Sequence, residues 1–228
     1  MGLQSKKSIK KYIPRIIFIL VIVLLLLCAL KISLWEKKYY AEKEGSERAV
    51  AVVGDVDTTE TPSEEEVTEK RRAEYTVSAD KPRYLNIDKL GIKNARVIEV
   101  GVDAKGQMQT PNSIYDAGWY IGSKLPNQGG TTVIDGHNGA NQKGIFKELN
   151  TLVAGDMLSI EMGDGSIYNY RVYDNVQIEL KKANQYLTDM MTSPVQGQES
   201  VTIITCSGEY SLTQKTYLSR QFVRATRV

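Results

Sequence analysis

VTIITCSGEYSLTQKTYLSRQFVRAT, residues 201–226, reads as two β-strands with a loop between them. Every residue of VTIIT (201–205) is β-branched, which suits a pleated, buried strand. TYLSRQFVRAT (216–226) alternates, and the alternation puts Leu218, Arg220, Phe222 and Arg224 on one face. The intervening SGEYSLTQK (207–215) is long enough to fold the second strand back beside the first.

Working outward, further runs rich in Val, Ile, Tyr and Thr stand between turn signals. They are YLNID (84–88), ARVIEV (95–100), TTVID (131–135), MLSIEM (157–162) and SIYNYRVYDNVQIEL (166–180). Gly163, Asp164 and Gly165 form a hairpin turn between the last two. IFKELNTL (145–152) predicts a short helix, with Ile145, Leu149 and Leu152 on one face and Phe146 beside them. There is no internal repeat. Many strands and few helices predict a mainly β domain over residues 81–228, either a closed barrel or a sandwich.

Upstream the pattern changes. IIFILVIVLLLLCAL (16–30) carries no charge. Extended to Trp35, with Lys31 snorkelling, it reaches the ~20 residues that a membrane-spanning helix needs. Lys6, Lys7, Lys10, Lys11 and Arg15 make residues 1–15 a basic flank that stays cytoplasmic. A cleaved signal peptide is the alternative, but no A-x-A-like site follows and bulky Leu27 precedes Cys28. The expectation is a retained anchor over residues 16–35. Residues 36–80, with EKEGSER (42–48) and DVDTTETPSEEE (55–66), are acidic and poor in large apolar side chains. They read as a solvated tether that cannot offset its own ordering entropy.

A net charge of +2 with 25% charged residues gives no reason to propose nucleic acid as a partner. The two cysteines, Cys28 and Cys206, are not a disulfide framework, and Cys28 lies in the apolar run. Cys206 is therefore expected as a free thiol. With one histidine, His137, a structural zinc site of Cys and His is not available.

Three residues can carry chemistry, and a fourth, Thr205, can support them. Cys206 follows a strand run and precedes a turn-like one, so it is either a partly exposed nucleophile or a small buried hydrophobe. His137 follows TTVIDG in the same way, at the end of an apolar strand, and is either an acid–base group or a structural imidazole. Arg220 is either a functional cation or an ion-pair partner on a strand face. Thr205 is either a substrate or Arg220 contact or simply a β-branched strand residue.

Read together, the motifs resemble a known family. TIITC (202–206) resembles the Thr-Leu-x-Thr-Cys signature of sortases, with Ile203 in place of Leu. RQFVRA (220–225) opens with an arginine as the family's last strand does, and VIDGHNG (133–139) resembles its strand-ending Gly-His. PRYLNIDKLGIKNARVIEVG (82–101), DAGWY (116–120) and LPNQGG (125–130) fit in the right order, so the resemblance covers about residues 82–228.

That resemblance implies a closed eight-stranded β-barrel and a cysteine transpeptidase with Cys206, His137 and Arg220 as its catalytic set. Such an enzyme cuts a C-terminal sorting signal of the Leu-Pro-x-Thr-Gly kind between Thr and Gly. It passes the acyl group to an amine on a peptidoglycan precursor or a pilin. The implied setting is the outer membrane surface of a Gram-positive-type bacterium, with secreted proteins and an amine acceptor as partners. No lid motif of the Asp-Pro-aromatic kind stands in the tether and no second apolar run follows the barrel, which favours protein anchoring over pilin polymerisation. No cofactor is implied. Calcium occurs in some relatives, but Asp103, Asp116 and Glu179 are too scattered to support it. A catalytically silent binding module and a peptidase that only hydrolyses sorting signals are the alternatives. A papain-like enzyme is not, since its C-G-S-C-W type signature is missing.

Overall fold

The seven runs and one further short segment form eight strands: β1 (Pro82–Ile87), β2 (Ile92–Val100), β3 (Ala117–Tyr120), β4 (Thr131–Gly136), β5 (Met157–Met162), β6 (Ile167–Glu179), β7 (Ser200–Ser211) and β8 (Thr216–Arg227). They close into one barrel in the order β1-β2-β3-β4-β7-β8-β6-β5, which decides against a sandwich. The pairs β2–β3 and β4–β7 are parallel and the others antiparallel. This computed structural model describes residues 31–32, 62–104, 106–139, 143–191 and 198–228. Most of the expected anchor and residues 36–61 of the expected tether lie outside the described residues. Among those described, no helix is long and apolar enough to cross a membrane.

Strand alternation divides the side chains between two cores. Ile134, Ile203, Val223 and Ala225 point into the barrel, where they meet Leu85, Trp119 and Phe146. Val133, Ile204 and Phe222 point outward and are covered by Ala183 and Leu187 of a helix over Leu180–Met190. Tyr186 of that helix meets Phe222 edge-on, with ring centroids 4.9 Å apart.

Three readings of the sequence change. The helix expected over residues 145–152 is a run of turns ending in a 3-10 segment, Leu149–Thr151. Its bonds span three residues (Lys147 N to Gly144 O, Leu149 N to Phe146 O, Thr151 N to Glu148 O). A spacing of three puts Phe146, Leu149 and Leu152 on one line in that tighter coil, and all three are buried. The strand drawn through Leu180 stops one residue earlier, and Leu180 opens the outer helix. Ala183, Leu187 and Met190, at helical spacing, are its buried stripe.

The third change concerns the tether. Its described part, residues 62–80, packs on the barrel. Ser63 N donates to Asn112 O and Ile114 N to Ser63 O. Thr68 caps a short helix, α1 (Glu69–Ala73); the helix over Leu180–Met190 is α2. Val67 is buried, the Tyr75 hydroxyl donates to Val97 O at 2.6 Å, and the Tyr84 hydroxyl donates to Arg72 O. Acidic composition hid these few anchoring contacts, and the packed domain begins before residue 81.

Candidate active site

The register of three strands assembles the site. Across the antiparallel pair β7–β8, Cys206 is the Cα partner of Arg220, Ile204 of Phe222 and Thr202 of Arg224. In the parallel pair β4–β7, Asp135 lies beside Ile204. Two residues further along both strands, His137 leaves the end of β4 level with Cys206. Period-two alternation puts Asp135, His137, Cys206 and Arg220 on the outer face with Val133, Ile204 and Phe222. The three sequence-predicted residues are thus neighbours. Cys206 differs from expectation in one respect: β7 does not end there but continues to Ser211.

Tight packing fixes the position of His137. A Cβ on Gly136 would stand 2.6 Å from the Phe146 ring, so the ring presses directly on the strand end. Phe146 N donates to His137 O at 3.0 Å and Gly144 N to Asn138 O at 3.0 Å. A Cβ on Gly144 would come within 2.2 Å of His137 O, so only glycine lets the loop close there. The Thr205 hydroxyl donates to Gly136 O at 2.8 Å and the Asn138 amide to Cys206 O at 2.9 Å. Thr205, buried in the barrel wall, ties β7 to β4; the contact to Arg220 that its position suggested is not what it makes.

His137 Nε2 lies 2.7 Å from Pro111 O. A carbonyl only accepts, so Nε2 carries the proton and the basic lone pair sits on Nδ1. Burial holds the imidazole pKa below its ordinary value, and the bond to Pro111 offsets part of that. Arg220 is buried at 4% exposure, and its Nη1 donates to the carbonyls of Tyr217 (2.9 Å) and Ser219 (3.0 Å). Cys206 is a partly buried thiol and not half of a disulfide. Burial, and then the neighbouring Cys206, push the Tyr217 hydroxyl pKa up.

Two features escaped the sequence reading. Asp135 is buried, and burial pushes its carboxyl pKa up to about 7, against the opposing pull of the Gly136 N–H and Arg220. A charged residue inside the apolar run TTVIDG, two before the histidine, was the available signal. Arg224, which alternation placed only on the same strand face as Arg220, is buried, with its guanidinium 5.2 Å from the Tyr173 ring. A cleft of about 260 Å³ opens beside Cys206, lined among others by Asn138, Thr205, Gln177, Tyr217 and Gln221.

The acids considered for calcium are engaged apart from one another. Asp116 takes two bonds from Arg96 (2.9 and 2.6 Å), Asp103 accepts from Gln107 N, and Glu179 lies near Lys181. No group of three or more His, Cys, Asp or Glu side chains suited to a metal gathers among the described residues.

The chain is similar in fold to solved sortases. The pilus-related sortase C of Group B Streptococcus is 20% identical over 85% of this chain and 90% of its own, with a TM-score of 0.52. Sortase C1 from Streptococcus agalactiae is 25% identical over 71% and 77%, with a TM-score of 0.49. Sortase A from Corynebacterium diphtheriae is 22% identical over 66% and 63%, with a TM-score of 0.47. No curated protein matches the chain. A family profile described as "Sortase domain" matches residues 85–228, more than half of the sequence, and the chain belongs to the sortase family.

Proposed function

We infer that this protein is a membrane-anchored transpeptidase that joins secreted proteins to an amine of the cell wall, with Cys206 as nucleophile. The observation that supports this most directly is the pairing of Cys206 with Arg220, with His137 level with both. The Cys206 thiolate attacks the Thr carbonyl carbon of a Leu-Pro-x-Thr-Gly-type signal. The carbonyl π pair moves to oxygen, and the Arg220 guanidinium donates hydrogen bonds to that oxyanion. As the oxyanion collapses, the C–N bond breaks and His137 gives the departing glycine amine the proton that its Nδ1 took from the Cys206 thiol when the thiolate formed. A thioester is left on Cys206. The acceptor amine then attacks the thioester carbon, the sulfur leaves with its electron pair, and His137 takes the amine's proton.

Residues 16–35 hold the enzyme at the outer membrane surface, with residues 1–15 inside. The apolar run and its basic flank support that topology. Tethering raises the effective concentration of a membrane-held substrate and a lipid-carried acceptor. The test is mass spectrometry of the full chain in detergent with a sorting-signal peptide, with and without an added amine. A thioester on Cys206 that the amine discharges to a new amide is expected, and Cys206→Ala should form none. Product that is all carboxylic acid despite the amine would support a hydrolase instead. Turnover by Cys206→Ala would end the mechanism. A reporter fused after Val228 should be cleaved by protease added to intact cells; its protection would overturn the topology.

A further inference from the structure

Asp135 is a buried acid beside the reacting groups that the transpeptidation steps do not use. Its surroundings on the outer face are apolar. Along its row of the sheet stand Gly118, Ile204, Phe222 and Val176. The Pro111 ring packs over Gly118 so closely that a Cβ there would be 3.0 Å from it. Asp135 Oδ2 is buried with no hydrogen-bond partner among the described residues. A buried acid serving only the fold would have its oxygens satisfied, because an unmade bond leaves the full desolvation cost standing.

Its electrostatic partner is Arg220. Burial raises the Asp135 pKa, and two groups oppose it, first the Gly136 N–H and then the charge of Arg220; Arg224, two residues along the same strand face from Phe222, lies over Tyr173 instead. The sheet order gives this coupling a direction. Arg220 is on β8, Asp135 on β4, and β7 with Cys206 runs between them. A guanidinium extended from Arg220 toward Asp135 therefore crosses β7 at the level of Cys206 and Ile204. In the present structure Nη1 is instead turned back onto the carbonyls of Tyr217 and Ser219.

We propose that Asp135 is a positioning residue for Arg220: as the carboxylate it draws the guanidinium off those carbonyls and over Cys206, where the oxyanion forms. This rests on the transpeptidase reading. It makes Asp135 useful only through Arg220, so its removal and that of Arg220 must not add.

The test is a double-mutant cycle on the full chain in detergent, using steady-state cleavage of a quenched fluorescent sorting peptide. The proteins are the parent, Asp135→Asn, Arg220→Ala and the pair. Asp135→Asn keeps the size and removes the charge. It should lower kcat about 10-fold and leave KM within about twofold, because the oxyanion contact exists only in the transition state. The double variant should be within about twofold of Arg220→Ala alone. Asp135→Ala, which only removes atoms, serves if the amide misfolds, and the same non-additivity is expected of it. Losses that multiply would overturn the proposal, as would Asp135→Asn activity within twofold of the parent. Failure of the transpeptidase reading would look different: the parent itself would form no Cys206 thioester, and the assignment of Asp135 would fall with it.

Discussion

Cys206 and Arg220 are direct Cα partners across the antiparallel β7–β8 pair. Side chains at such positions leave the sheet about 5 Å apart at their roots, on one face. The two side chains are therefore rooted side by side without any loop having to be placed, although the guanidinium itself is turned back onto the Tyr217 and Ser219 carbonyls.

Arg220→Ala should lower kcat/KM about 100-fold or more, comparable with the loss of an oxyanion donor. Arg220→Lys should recover little, because an ammonium cannot copy the planar fork. Arg224→Ala should stay within a few-fold in cleavage. Because Arg224 is buried against Tyr173, it should lose about 1–3 kcal/mol of stability, which a surface charge would not. Peptide cleavage and thermal melts of the three proteins check both halves. A crippled Arg224→Ala beside a mild Arg220→Ala would shift the functional arginine by four positions.

His137→Ala should cost at least about 100-fold, the lower end of acid–base effects. Its folded pKa lies below the unfolded value. The unfolded chain thus binds more protons between the two values, and the fold loses stability as pH falls through that window. His137→Asn should remove this acid-side loss. Melting temperatures at several pH values between 5 and 8 read it, and an unchanged slope would count against a buried, neutral imidazole.

Asp135 has the opposite sign. Its folded pKa of about 7 stands above the ordinary carboxylate value of 3.8, so the native state binds the extra proton. Stability then falls as pH rises from about 4 to 7, by up to about 4 kcal/mol. Asp135→Asn should melt higher than the parent at pH 8 and lose that advantage at pH 4. Equal melting shifts at both pH values would show that Asp135 is not an uncompensated buried acid.

A protein beginning at Ala79 should be less stable than one beginning at Pro62. It lacks buried Val67 and the Tyr75 bond to Val97 O, and it removes the acceptor of Tyr84. Burial of one Val alone contributes about 1.5–3 kcal/mol. Equal melting temperatures would mean that residues 62–78 do not hold to the barrel.

Seven of the eight strands were legible as runs rich in Val, Ile, Tyr and Thr between turn signals, some with period-two alternation and some, such as VTIIT, uniformly β-branched. β3 has only four residues, AGWY, too few to display a period. The outer helix was hidden because β6 runs without a turn signal into Leu180. Residues 145–152 carry a spacing that a 3-10 coil satisfies as well as an α-helix. Cys206, His137 and Arg220 could be found as motifs. Asp135 carried a weaker signal, a charge inside a β-favouring run, but not its surroundings, since Gly118 and Pro111 beside it come from distant segments. The burial of Arg224 was not legible, because alternation gives the face of a strand but not what covers that face.

The two halves of the site close very different loops. Cys206 and Arg220 belong to one hairpin, but the Thr205 bond that seats the histidine strand spans 69 residues. Loop-closure entropy makes the second contact dearer by about 1.4 kcal/mol, and non-local parallel pairing is slow to form. During folding, sulfur and guanidinium should meet first and the imidazole should arrive when β4 docks. A folding chain would thus carry its nucleophile for a time without an acid–base partner. Turnover would begin only with barrel closure, so that gain of activity reports the last folding event and thiol reactivity an earlier one.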